Sequence, residues 1–217
     1  MIRLNKFLAL NLNISRRSAD ELINNQLIHV NGLIAQIGQK IDDKKDEVLY
    51  LGNKVEEEIK KYFMFYKPPG YICSHKKQGS TPTIYDIISD TNLKYAGRLD
   101  KESEGLLLLS NDGDWINKLT HPKYQINKIY HVTVENEINI DTFKTVVEKE
   151  NKLYQINKIK KLKSYVYEVV LTTGKKREIR EIFQYNKVAI NRLKRVQMGE
   201  YIIENMQPGD IKELHLS

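Results

Sequence analysis

The chain carries one cysteine, one tryptophan, five prolines and eleven glycines in 217 residues. With Cys73 alone there is no intrachain disulfide and no thiolate cage for a metal. His29, His75, His121, His131 and His215 are scattered without ligand-like pairing, which argues against a zinc site. No apolar run approaches the length of a membrane span, and Arg3, Asn5 and Lys6 interrupt the segment where a signal peptide would be apolar. There is no phosphate-binding glycine loop, dinucleotide fingerprint, internal repeat or low-complexity block. The expectation is a cytoplasmic protein, or its organellar equivalent, with no membrane partner, no metal and no cofactor.

What is present is a soluble globular composition, 41% hydrophobic and 29% charged, in a length that fits one large domain or a small one followed by a medium one. The net charge is +7, and residues 152–195 hold thirteen Lys/Arg against only Glu168, Glu178 and Glu181. Such a surface faces a polyanion: nucleic acid first, anionic lipid second, with an ordinary solvated basic face as the plain alternative.

The stretch from 97 to 114 organises the rest. Four leucines, Leu106 to Leu109, closed by the turn signal at residues 110–113, read as a strand covered on both faces. The loop entering it is therefore well anchored, and Asp100 on that loop is the candidate for chemistry. A lone Asp before a strand is otherwise an ordinary turn residue.

Leu4, Phe7, Leu8 and Leu12 recur at helical spacing, and Ser15 caps a second helix whose inner stripe is Ala19, Leu22 and Ile23. Arg16 and Arg17 fall in its first turn, where the helix dipole disfavours cations; a bound phosphate would account for them, as would simple exposure to water. Residues 27–32 read as a strand ending in an Asn31-Gly32 hairpin turn, with a further strand near 48–51. The segments carrying Arg3, Leu4, Lys6, Phe7 and Leu8, then Ser15, Arg16, Arg17 and Ala19, then Val30, Asn31 and Gly32, resemble the S4 RNA-binding domain. That resemblance implies that Arg3, Lys6, Ser15, Arg16 and Arg17 lie against RNA backbone. The charged residues 53–61 are the expected linker.

Beyond it, residues 62–66 read as a strand, 67–70 as a turn, 75–80 as a surface loop, and 82–88 as a short helix with Pro82 first, capped by Thr81. Trp115, Ile116 and Leu119 fit a helix ended by His121-Pro122. Residues 129–134 alternate as a strand with Tyr130 on its inner face, residues 141–148 look helical, and 165–171 form another strand. Residues 175–185 fit an amphipathic helix buried through Ile179, Ile182 and Phe183, with Lys175, Lys176 and Arg177 in its first turn against the dipole. Leu193, Lys194 and Arg195 read as a basic strand.

Lys67-Pro68-Pro69-Gly70, Gly97-Arg98-Leu99-Asp100 with its leucine strand, Lys128-Ile129-Tyr130, residues 174–180 and Leu193-Lys194-Arg195 occur in that order. Together they resemble bacterial ribosomal RNA pseudouridine synthases of the Rsu type, which carry an N-terminal S4 domain. The resemblance implies an α+β protein, with a small S4 α/β RNA-binding module over residues 1–60 and a mixed, largely antiparallel-sheet catalytic domain over 61–217. It implies isomerisation of uridine to pseudouridine in ribosomal RNA by an aspartate, with base flipping and without a cofactor. Asp100 takes the place of the catalytic aspartate, Tyr130 of the active-site tyrosine and Arg180 of the basic partner to the aspartate. Arg98 is expected to fill the space left by the flipped base, and Lys175, Lys176, Arg177 and Arg195 to contact RNA. The expected partner is ribosomal RNA or a ribosomal subunit assembly intermediate, met by a monomer, and residues 81–86 lean towards the large-subunit branch. The rival is an RNA-binding assembly factor that performs no chemistry.

Overall fold

The computed structural model describes residues 1–216. The chain forms two compact units, Met1–Lys60 and Lys61–Ser217. In the first, α1 (Leu4–Asn11) and α2 (Arg16–Asn24) share one core with a four-stranded antiparallel sheet of Leu33–Ile34, Ile28–Val30, Val48–Tyr50 and Asn53–Lys54. Ser15 accepts the Ser18 amide proton at 3.0 Å and so caps α2, as its residue type requires. Asn31 (φ 50°) and Gly32 (φ 80°) make the hairpin turn, the two left-handed positions that Asn and Gly tolerate. The expected linker starts later than residue 53, because Asn53–Lys54 pairs with Leu49 and Tyr50 and Val55 closes the core.

The second unit runs β1 (Tyr62–Lys67), β2 (Lys94–Ala96), β3 (Glu104–Ser110), α3 (Gly113–Thr120), β4 (Lys128–Val134), β5 (Val146–Lys149), β6 (Lys152–Gln155), β7 (Lys158–Lys163), β8 (Val166–Leu171), α4 (Glu178–Tyr185), β9 (Ile190–Met198), β10 (Tyr201–Ile202) and β11 (Ile211–Glu213). Nine of these strands make one sheet in the order β7-β8-β4-β9-β3-β1-β11, with β2 on β3 and β10 on β9. Every pairing in it is antiparallel except β9 with β3, where Arg195 lies opposite Gly105.

The leucine strand β3 is buried along its whole length. Successive side chains leave opposite faces, so Leu107 and Leu109 enter the core under α4 while Leu106 and Leu108 enter the core under α3. Each fully buried leucine contributes about 2 kcal/mol, which makes this strand the anchor of both layers. Gly105 bends it at φ +104°, and a Cβ there would stand 2.2 Å from the Arg195 carbonyl oxygen. Only glycine permits the parallel seam to close at this point.

Three expected elements differ. Residues 141–148 hold no helix; β5 pairs with β6 in a hairpin turned by Glu150 (φ 50°) and Asn151 (φ 58°). Thr145, Val146 and Val147 are β-branched and suit the pleat. The short helix is a single 3-10 turn, Ile84–Asp86, capped by Thr83 rather than Thr81: Asp86 Oδ2 accepts from the Thr83 amide at 2.8 Å in a capping box. Helix α4 begins at Glu178, so Lys175, Lys176 and Arg177 precede it and the first turn carries Glu178 and Glu181, in keeping with the dipole. The start is set by the Glu178 carboxylate, which accepts from Thr173 Oγ1 at 2.7 Å, the Lys175 amide at 3.1 Å and the Gln155 amide at 3.2 Å.

Candidate active site

On the α4 face of the sheet lies an open cavity of about 470 Å³, a volume suited to a nucleotide-sized ligand. The loop between β2 and β3 forms one wall and the segment leading into α4 the other; Tyr130 of β4 and Leu193 of β9 lie between them. Asp100, Tyr130 and Arg180, far apart in sequence, all line it, as do Arg98, Lys175, Lys176 and Arg177.

The Asp100 loop is fixed from below. Lys67 ends β1 on the inner face defined by Phe63 and Phe65 and is fully buried. Its ammonium donates to the carbonyls of Ser103 at 2.7 Å, Pro68 at 2.9 Å and Lys101 at 3.4 Å, one acceptor for each proton. Burial draws the amine down to about 8, and nearby Cys73, Asp100, Glu102 and Glu104 work against that. The Gly70 amide adds a bond to the Lys101 carbonyl at 2.7 Å, and the Ser103 amide one to the Asp100 carbonyl at 3.0 Å. At the start of β3, Glu104 is held by Arg192 and by the Tyr66 hydroxyl at 3.0 Å. Burial works against the Glu104 charge, but these two donors outweigh it and leave the carboxyl below its usual range.

Across the cavity Arg180 projects from the first turn of α4. Its Nη2 donates to the buried Ser103 hydroxyl at 3.1 Å, and its Nε lies 3.9 Å from Asp100 Oδ2. That Nε is buried and has no hydrogen-bond partner. The Asp100 carboxylate therefore faces this donor at ion-pair distance but beyond hydrogen-bond distance. Burial lowers the Arg180 guanidinium from its ordinary value, but arginine remains charged.

Tyr130 is buried on β4, between Val169 of β8 and Arg195 of β9. Lys128, two residues back on the same face, reaches the Ile126 carbonyl at 3.2 Å and the Thr172 carbonyl at 3.4 Å. Burial pulls this amine down, and Arg195 adds to the effect. Cys73 also touches the cavity, but burial pushes its thiol up, so it is a neutral wall group. Among the described residues, no group of three or more His, Cys, Asp or Glu side chains is arranged to hold a metal ion.

Arg98 is exposed at the cavity mouth, and Lys175, Lys176 and Arg177 are exposed on the segment before α4. Arg177 takes a left-handed backbone (φ 58°) and pairs with Glu102 at 3.4 Å. Arg195, expected on an RNA-facing surface, is instead only 1% exposed. Its Nε donates to the Leu106 carbonyl at 2.7 Å and its Nη2 to the Gly97 carbonyl at 3.0 Å, so it props the Asp100 loop from the inside. In the first unit, Arg3, Ser15, Arg16 and Arg17 are exposed and Lys6 is half-buried. Arg16 Nη2 donates to Asn5 Oδ1 at 3.0 Å, and Asn5 in turn to Asp20 at 2.9 Å.

Sequence reasoning missed Lys67, Ser103 and Glu178 as parts of the site. The available signal for Lys67 was its parity with Phe63 and Phe65, which puts a lysine on a buried face.

The RNA pseudouridylate synthase family matches residues 61–185, and the S4 domain family matches residues 2–48. An RNA pseudouridine synthase of Aquifex aeolicus is 33% identical, over 98% of this chain and 92% of that protein. The ribosomal large subunit pseudouridine synthase B of Bacillus subtilis is 32% identical, over 99% of this chain and 92% of that protein. A crystal structure of a pseudouridylate synthase superposes with a TM-score of 0.68 at 26% identity, covering 99% of this chain and 96% of the other. The mixed sheet that carries the cavity falls in the part of the chain that matches RNA pseudouridylate synthases, and an S4 module precedes it, so the class is that of RNA-modifying enzymes. The chain belongs to the RNA pseudouridine synthase family, isomerases that convert uridine to pseudouridine in RNA.

Proposed function

We propose that this enzyme acts as a cytoplasmic monomer on ribosomal RNA of the large subunit, with Asp100 as its catalytic carboxylate and without a cofactor. The observation that carries the reading is the Asp100 carboxylate facing the Arg180 guanidinium at 3.9 Å in a cavity walled by Tyr130. The Bacillus subtilis relative, which matches along nearly the whole chain and is named for the large subunit, supports the large-subunit reading.

The isomerisation breaks the bond from N1 of uracil to C1′ of ribose, turns the base, and joins C5 to C1′. The C5 proton leaves and N1 gains one, so no redox equivalent or energy donor enters. Asp100 is the ionised group that acts on the sugar or the base. Arg180 steadies its charge, since two opposite charges 3.9 Å apart attract by about 4 kcal/mol at an effective dielectric near 20. Tyr130 stacks on the uracil and takes part in proton transfer at the ribose. A uridine in a stem reaches this cavity only when extruded, at a cost of a few kcal/mol. The Arg16–Arg17 turn of the first unit and the basic segment 175–177 offset that cost through phosphate contacts. Arg98, exposed at the mouth, occupies the vacated place in the stem.

The test is release of tritium from C5 of labelled ribosomal RNA and ribosomal subunits, wild type beside Asp100→Asn, with the modified uridine mapped. Release by the wild type alone on large-subunit RNA is the expected result. Tight binding without release would favour the non-catalytic assembly factor, and free uracil in the products would identify a hydrolase.

A further inference from the structure

Behind Arg180 a second groove of about 500 Å³ runs along the outer side of α4. Arg177 and Arg180 line both this groove and the catalytic cavity, so the two meet at the catalytic arginine. The far part of the groove is edged by Gln184 and Lys187, and its floor is Val188, Ala189 and Ile190. No acidic residue is among its lining residues. Arg180 and Gln184 are four apart on α4, hence neighbours on one face, and Arg177 stands just before the helix. Lys187 is folded back at the end of that face by a left-handed backbone (φ 57°), with its amide donating to the Gln184 carbonyl at 3.0 Å. The helix dipole favours a cation at Lys187, while Arg177, at the other end, pairs with Glu102 on the cavity side. With no acidic residue lining the groove, an anionic chain laid along the helix complements its charge.

We infer that this groove holds the sugar–phosphate backbone on one side of the target uridine, leading it out of the catalytic cavity past Arg180 and over Gln184 to Lys187. The inference rests on the pseudouridine synthase reading of the cavity and names the path of the substrate at that same site. Eight residues of α4 span about 12 Å, room for at least two consecutive phosphates of one strand. Gln184 offers amide donors to a phosphate or a 2′-hydroxyl, and the groove is entered from the cavity where the base has left its stack. The occupant is therefore a locally single strand and not an intact duplex.

The experiment uses the full chain and three RNAs carrying the mapped uridine: the complete hairpin, one trimmed on the 5′ side of the target and one trimmed on the 3′ side. Two exposed positions are changed. Lys187→Asn removes the charge while keeping a residue that tolerates the left-handed backbone, and Gln184→Glu places a carboxylate against the strand. Each is expected to weaken binding of the complete hairpin about fivefold, with kcat unchanged. For Lys187→Asn the slope of log affinity against log salt should fall by about 0.7, the loss of one single-strand phosphate contact. Both effects should vanish on one trimmed RNA and persist on the other. Unchanged affinity and slope on all three RNAs, with unchanged melting curves and normal tritium release, would overturn the inference and leave the groove to an acidic protein segment. Equal losses on both trimmed RNAs would overturn it too, since the contact would then not lie on one flank. A wild type that shows the flank dependence but never releases tritium would refute the catalytic reading and leave the strand path standing.

Discussion

Ser103 is the residue whose loss should most sharply separate positioning from folding. Among the described residues its hydroxyl is the side-chain acceptor that Arg180 Nη2 meets, at 3.1 Å, and it is 1% exposed, so water does not replace it. A hydrogen bond to a charged donor contributes about 1.5–3 kcal/mol. Ser103→Ala removes it while keeping the Cβ and the backbone bonds of residue 103 to Lys67 and Asp100. If the guanidinium then retreats 1 Å from its 3.9 Å separation, its attraction to Asp100 falls by about 1 kcal/mol, and if it swings to solvent nearly all of it is lost. The expected fall in kcat is therefore between about fivefold for the retreat and about 1,000-fold for the swing, with KM little changed because the groups that would contact RNA stay in place. Ser103→Thr keeps the hydroxyl and should recover most of the loss. Single-turnover tritium release on the mapped RNA measures kcat, and melting curves check the fold. Wild-type kcat in Ser103→Ala, or equal defects in the Ala and Thr variants, would refute the positioning role.

Three further outcomes concern the groups that hold the two walls of the cavity. Gly105→Ala drives a Cβ to 2.2 Å from the Arg195 carbonyl at φ +104°, and should cost more than about 3 kcal/mol of stability in chemical denaturation; a melting curve like wild type would show that the seam can yield. Lys67 is about 8 in the folded chain against an ordinary 10.5, so between those values the unfolded chain binds the proton and the folded one does not, and this group makes stability rise with pH in that window. The difference in unfolding free energy between wild type and Lys67→Met should accordingly change between pH 8 and 10.5, and a flat difference would contradict the burial of the charge. Glu178→Gln weakens the tie to Thr173, Lys175 and Gln155, which should raise KM for RNA severalfold and speed proteolysis at residues 174–177; unchanged KM would mean the basic segment is ordered by something else.

Much of the architecture is legible in the sequence because it depends on neighbours in the chain. Four consecutive leucines needed two cores, and they have them; Asn31-Gly32 needed a left-handed turn, and Ser15 a helix to cap. The misreadings occur where distant groups decide. Residues 141–148 carry enough charge to imitate a helix, yet Val146 and Val147 find partners in Gln155 and Tyr154. The first turn of α4 cannot be placed without Thr173 and Gln155, both outside the helix, which bind the carboxylate at its start. Arg195 reads as a surface cation until β9 is known to pass beneath Gly97 and Leu106. Asp100 and Arg180 were separately visible, but their separation and the Ser103 hydroxyl that holds the guanidinium belong to the tertiary structure.

The single parallel seam of the sheet lies directly beneath the Asp100 loop, and its placement explains why the loop can be both exposed and rigid. Antiparallel neighbours would let β3 continue straight into a hairpin turn. By running alongside β3 for only two residues, Lys194 and Arg195 against Glu104 and Gly105, β9 stops the pairing where the loop must lift away. The bend needs a glycine, and the close approach it permits carries the Arg195 guanidinium to the Leu106 and Gly97 carbonyls, so the constraint that closes the sheet also anchors the far end of the loop. Lys67 anchors the near end through the Lys101 and Ser103 carbonyls. Backbone polar groups that a surface loop would give to water are thus met by two buried cations, and the carboxylate between them has little freedom except towards Arg180. Among the described residues, Arg180 Nε is the buried side-chain donor without a hydrogen-bond partner, and it faces that carboxylate across the cavity.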